Sequence, residues 1–80
     1  MDSLNYIFTN HAQIRINQRD ITEREIISVI KQPDSIEPGF KERQVIRRKL
    51  SRGTLEVIYR KLGNKIIVIT CYWIKNPREE

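Results

Sequence analysis

The sequence predicts an α+β domain: two N-terminal helices packed on a curved antiparallel β-sheet. Three observations predict it. Apolar residues recur at helical spacing between residues 10 and 32, with a capping signal before each run. Three strand-length segments between residues 42 and 74 are rich in Val, Ile, Thr and Tyr and are separated by glycine-bearing turns. Finally, no internal repeat or low-complexity stretch interrupts the chain.

Taken in order, Asn5-Tyr6-Ile7-Phe8 is apolar enough for a short extended lead-in, a candidate strand. Thr9 can cap a following helix, because its hydroxyl accepts from an orphan backbone N–H. That helix is expected over 10–18, with Ala12, Ile16 and the neighbouring Ile14 as its apolar stripe. Asp20-Ile21-Thr22 breaks the pattern. Thr22 and Glu25 then form a capping box, which starts a second helix expected over 23–32. Ile26, Ile27 and Ile30 face the core there, with Val29 beside them, and Pro33 ends the helix. Residues 34–39 read as extended or turning, punctuated by Pro38-Gly39.

Strands are expected over 42–50, 54–62 and 65–74, joined by Ser51-Arg52-Gly53 and Gly63-Asn64. Strict alternation places Leu55, Val57 and Tyr59 on one face of the second strand. In the third it places Ile66, Val68 and Thr70 on one face and Ile67, Ile69 and Cys71 on the other, so both faces are apolar. A strand of that kind is usually central or covered on both sides. The order is therefore α-α-β-β-β, the short lead-in strand preceding the first helix. Residues 76–80 read as a polar tail.

Eighty residues fit a single domain spanning the chain. A chain of this size buries only about 60% of the surface its unfolded form exposes. Its stability is modest, which leaves room for a homodimer or another partner to add to it. No apolar run approaches the roughly 18 residues of a membrane helix, and the N-terminus lacks a secretory signal, so no membrane partner and a cytoplasmic location are expected. One Cys and one His exclude a disulfide within the chain and a Cys-based zinc site. Cys71 reads as a buried structural thiol.

The net charge is +5, and its distribution is uneven. Residues 41–65 hold nine basic side chains against two acidic ones, a net +7, while the rest of the chain carries −2. Concentrated positive charge gathers polyanions. Arg43, Arg47, Arg48 and Lys49 could position a nucleic-acid backbone, and Tyr59 and Tyr72 could stack on unpaired bases. The same residues also fit an ordinary solvated sheet whose cations discourage edge-to-edge pairing.

His11, Arg15 and Arg19 recur every four residues and so fall along one side of the first helix. Spacing alone fits any polar helix side. RNA cleavage without a metal, however, needs a group that moves protons near neutrality and a fork that holds the crowded phosphate. Histidine and arginine are those groups. Arg60 joins them as an inference from the basic sheet. No glycine-rich phosphate loop or carboxylate cluster points to a metal or cofactor.

The run Phe8-Thr9-Asn10-His11-Ala12-Gln13-Ile14-Arg15-Ile16-Asn17-Gln18-Arg19-Asp20-Ile21-Thr22 resembles the F-T-x-H-A-x-x-R-x-x-x-R-x-I-[ST] opening of a widespread uncharacterised bacterial and archaeal domain family. The resemblance continues through Glu25-Ile26-Ile27-Ser28-Val29-Ile30 and Pro33-Asp34, and more loosely to Ile67-Val68-Ile69-Thr70-Cys71-Tyr72. That family is grouped by remote similarity with the RelE/ParE-like toxins, in the barnase–EndoU–colicin–RelE class of metal-independent ribonucleases. The resemblance implies a RelE-like fold and a toxin–antitoxin setting. It carries over His11, Arg15 and Arg19, and Thr70 as the polar residue of the last strand. Toxin folds also serve as gyrase inhibitors and inactive binding relatives, so fold alone leaves function open. Three readings stand: a toxin-type endoribonuclease, a non-catalytic RNA-binding module, and a protein-interaction module whose basic sheet receives an acidic antitoxin.

Overall fold

The computed structural model describes residues 4–74, so the expected tail at 76–80 lies outside them. The fold is α+β, with two helices and a five-stranded mixed sheet. The chain runs β1 (Asn5–Phe8), α1 (Asn10–Gln18), α2 (Glu23–Lys31), β2 (Ser35–Pro38), a tight turn (Phe40–Glu42), β3 (Gln44–Leu50), β4 (Gly53–Leu62) and β5 (Lys65–Ile74).

Both helices start where their caps dictate. The Thr9 hydroxyl accepts from the Ala12 N–H at 3.1 Å and donates to the Ile69 carbonyl at 3.0 Å, so the cap also pins α1 to β5. Thr22 accepts from the Glu25 N–H at 3.1 Å, and the Glu25 carboxylate accepts the Thr22 N–H at 3.0 Å, which completes the capping box. Ala12, Ile26 and Val29 are fully buried. Ile14 is 50% exposed and does not belong to the stripe, because two residues along a helix turn the side chain about 200° away from Ala12.

Strand order is β1-β5-β4-β3-β2. The expected antiparallel sheet is in fact mixed. β1 pairs parallel with β5, Asn5 opposite Lys65 through Phe8 opposite Val68, and the other three pairings are antiparallel. β2 is a further strand that the turn residues concealed: it has four residues, all exposed, and ends at Pro38, just before Gly39. α1 packs on β5 and β1, and α2 on β4 and β3, so one sheet face is covered and the other carries no helix.

The face assignment in β5 departs from strict alternation. Ile58 pairs with Thr70 and Tyr59 with Val68, so Ile69 is an extra residue, a β-bulge. Above the bulge Cys71 faces the core. Below it the phase reverses, and Val68 and Ile66 face the core beside Tyr6 and Phe8 of β1. Cys71 and Val68 are 0% exposed and Ile66 is 3% exposed, which alternation without a bulge cannot produce. β5 is therefore covered once, by the helices, and its Ile67, Thr70 and Tyr72 lie on the helix-free face.

Candidate functional site

Candidate residues fall into two groups on opposite sides of the sheet. Register fixes the helix-free face. Arg47, Glu56 and Tyr72 form one row across β3, β4 and β5; Val45, Ile58 and Thr70 form the next; Arg60, Ile67 and Ile7 lie beyond the bulge. α1 holds the second group on the covered side.

On α1, His11 is exposed and Arg15 is half-buried. Arg15 lies close enough to Cys71 to pull its thiol pKa down, against burial, which dominates and pushes it up to about 11. Among the described residues, neither His11 nor Arg15 makes a hydrogen bond or ion pair through its side chain. Among the described residues no buried side-chain nitrogen lacks a partner, so the Arg15 guanidinium reaches solvent while its stem packs. Arg19 caps α1 at its C-terminal end and is exposed; its carbonyl accepts the Trp73 indole N–H at 3.1 Å.

β1 ends opposite Val68, so among the described residues β5 has no strand on that side from Ile69 onward. The Thr9 N–H donates to the Val68 carbonyl at 3.1 Å and α1 begins there. The free half of β5 is thus the border between the His11–Arg15 flank and the face bearing Thr70 and Tyr72. The structure brings His11 and Arg15 together and places Thr70 across that border. Arg60 lies further in on the open face, its guanidinium 3.7 Å from the exposed Glu42 carboxylate.

The sheet cations divide into engaged and free. Arg47 Nε donates to Glu56 Oε1 at 2.5 Å and Nη1 to Glu37 Oε2 at 3.3 Å. The hydrogen bond to Glu56, then its charge, raises the Arg47 pKa. Tyr72 donates its hydroxyl to Glu56 Oε2, and that bond, followed by burial, raises its pKa as well. Glu56 is only 4% exposed although it sits on the face without helices, because Arg47 and Tyr72 close over it. Arg48 points to the covered side and donates to the Ser28 carbonyl of α2 at 3.2 Å. Arg52 donates to Asp20 and Glu25, at 3.3 and 3.0 Å, and lies 5.0 Å from the Trp73 ring centroid, stapling the hairpin to the interhelical link. Tyr59, expected as a stacking surface, is half-buried against the core, and burial, then Tyr6, raises its pKa.

Lys41, Arg43, Lys49, Lys61 and Lys65 remain exposed with no side-chain ion pair among the described residues. The basic segment thus presents fewer free cations than its composition implies. Sequence reasoning missed Glu56, whose signal was a lone acid amid the apolar residues of β4, and Arg52, whose partners lie 27 and 32 residues away. Among the described residues no three His, Cys, Asp or Glu side chains are grouped to hold a metal ion, and no helix is long and apolar enough to cross a membrane.

A family model described as a domain of unknown function, DUF4258, matches residues 8–73, which spans both candidate groups. No curated protein and no solved structure matches the chain.

Proposed function

The chain belongs to the DUF4258 domain family, and from that premise we propose that it acts on RNA as a toxin-type, metal-independent endoribonuclease of RelE/ParE-like architecture. One observation carries the reading. Arg15 is a half-buried side chain whose solvent-reaching guanidinium has no anion beside it among the described residues, whereas the half-buried Arg47 and Arg48 both have partners. A guanidinium with an unfilled fork on a partly packed stem is suited to a phosphate. His11 stands one turn away, exposed and without a partner.

In this reading Arg15 grips the scissile phosphate and the charge that develops on it. His11 takes the proton of the 2′-hydroxyl. The 2′-oxygen–phosphorus bond forms as the 5′-oxygen leaves and takes a proton from water. Arg19 and Arg60 add positive potential on either side of the β5 border, and Thr70 offers a hydroxyl to a strand crossing it. Arg43 and Lys49 guide the backbone. An acidic antitoxin is the partner that would cover these cations, and a second copy of the chain is another candidate.

The test is cleavage of an end-labelled single-stranded RNA by nuclease-free protein. His11→Ala is expected to lower the rate by about 100- to 10,000-fold, the usual worth of general acid–base catalysis, with the fold unchanged by circular dichroism. Full cleavage by that variant ends the His11 assignment. The sheet separates Arg47 and Arg60 from α1, which favours a second reading, RNA binding without catalysis. Salt-dependent retention of RNA with no product from the wild type would establish that reading in place of the first.

A further inference from the structure

The hairpin joining β2 to β3 carries Phe40 at its tip, 80% exposed, more than any other large hydrophobic side chain among the described residues. The tip is built to hold it there. The Gly39 N–H donates to the Arg43 carbonyl at 2.7 Å, and the Arg43 N–H to the Phe40 carbonyl at 3.2 Å, which closes the loop on itself. A Cβ on Gly39 would stand 3.0 Å from the Arg43 carbonyl oxygen and 3.1 Å from Val45 Cγ2, so a larger residue would crowd the closure. Lys41 and Glu42 both adopt left-handed backbone, at φ 56° and 64°, a conformation that costs free energy in residues other than glycine. Arg60 reaches Glu42 from β4 and ties the loop to the sheet. Strained backbone, a closely packed glycine and an ion-pair tether all display one apolar ring to solvent.

The surroundings of the ring select its partner. Lys41 and Arg43 follow it along the same loop, both exposed and free of ion pairs among the described residues, while Arg60 is paired with Glu42. An exposed aromatic ring on a loop that also carries free cations fits a stacked base with its phosphates. The tip lies at the opposite sheet edge from α1, with β5 and β2 separated by three strand spacings, about 14 Å.

We propose that Phe40 is a stacking finger for an unpaired nucleobase, so that the chain selects single-stranded over duplex RNA. The inference rests on the RNA reading above and assigns its second contact point. The experiment measures binding of a fluorescein-labelled 2′-O-methyl oligouridine, which lacks the 2′-hydroxyl needed for cleavage, and of a 2′-O-methyl duplex of equal length. Phe40→Ala is expected to weaken single-strand binding about tenfold and to leave duplex binding unchanged. Phe40→Trp should restore affinity, with indole fluorescence quenched on binding. Lys41→Gln with Arg43→Gln should weaken both ligands alike and reduce the salt slope. Because Phe40 touches little, circular dichroism and the urea midpoint should match wild type in every variant. If the wild type does not hold the single strand at low salt, the RNA reading falls and the finger with it. If it holds the strand and Phe40→Ala holds it equally well, or loses single strand and duplex to the same degree, only the finger is overturned.

Discussion

Removing the Tyr72 hydroxyl tests how the helix-free face tolerates a buried carboxylate. Glu56 is 4% exposed and takes bonds from Arg47 and Tyr72. Tyr72→Phe deletes one donor and keeps the ring. A hydrogen bond to a charged group contributes about 1.5–3 kcal/mol. Tyr72 is 36% exposed, so water partly replaces its hydroxyl and the low end applies, about 1.5 kcal/mol. Against a total of about 4–12 kcal/mol for a chain of this size, that is a large fraction. It corresponds to a fall in Tm of roughly 6–12 °C. Urea unfolding at pH 7, followed by circular dichroism, measures it. The pH dependence checks the mechanism. The Tyr72 pKa is raised in the folded protein above its ordinary 10.0, first by the bond to Glu56. Its contribution is therefore complete below about pH 10 and lost as pH rises through the folded value. Tyr59 and Cys71 are raised too, chiefly by burial, so the wild type loses stability in alkali by three routes. The gap between wild type and Tyr72→Phe isolates one of them and should narrow above pH 10. A variant as stable as wild type at pH 7, or a gap that widens in alkali, would refute the reasoning.

Two further outcomes follow from buried and capping groups. Cys71 has its pKa pushed from 9.0 to about 11, so at pH 8 its thiolate population is about 100-fold below that of an open thiol. Iodoacetamide should modify the native protein at least 100-fold more slowly than the urea-unfolded chain, and Arg15→Gln should slow it further, since Arg15 pulls the pKa down; equal rates in native and unfolded protein would show an accessible thiol. Thr22→Ala removes the hydroxyl half of the α2 capping box and should cost about 1 kcal/mol in urea unfolding; an unchanged midpoint would mean that Glu25, held by Arg52, keeps the cap closed alone.

What the sequence disclosed is what neighbouring residues decide. Thr9, the Thr22–Glu25 pair and Pro33 bound the helices locally, and α1 over Asn10–Gln18 falls where its cap puts it. Lys65–Ile74 and the Gly63 turn, with φ 61°, are local in the same sense. The parallel match of Asn5–Phe8 to Lys65–Val68 depends on residues 60 apart, and no periodicity records it. The Ile69 bulge was hidden because both possible phases of an Ile- and Val-rich strand look equally apolar. At the site, the exposure of His11 and Arg19 followed from helix spacing. The engagement of Arg47 by Glu56, of Arg48 by Ser28 and of Arg52 by Asp20 did not, since each partner comes from another element. Phe40 drew no attention because a single aromatic beside Pro38-Gly39 reads as turn filler until its exposure is known.

The lone parallel pairing sets an order of events during synthesis. Helices and the middle strands can gather as soon as they leave the ribosome, but β1 has no lateral neighbour until Val68 has emerged. β1 must wait for β5, with a loop of some 57 residues to close. During that interval Tyr6 and Phe8 stand uncovered, a window in which a chaperone or a cognate partner would find them before the sheet is sealed.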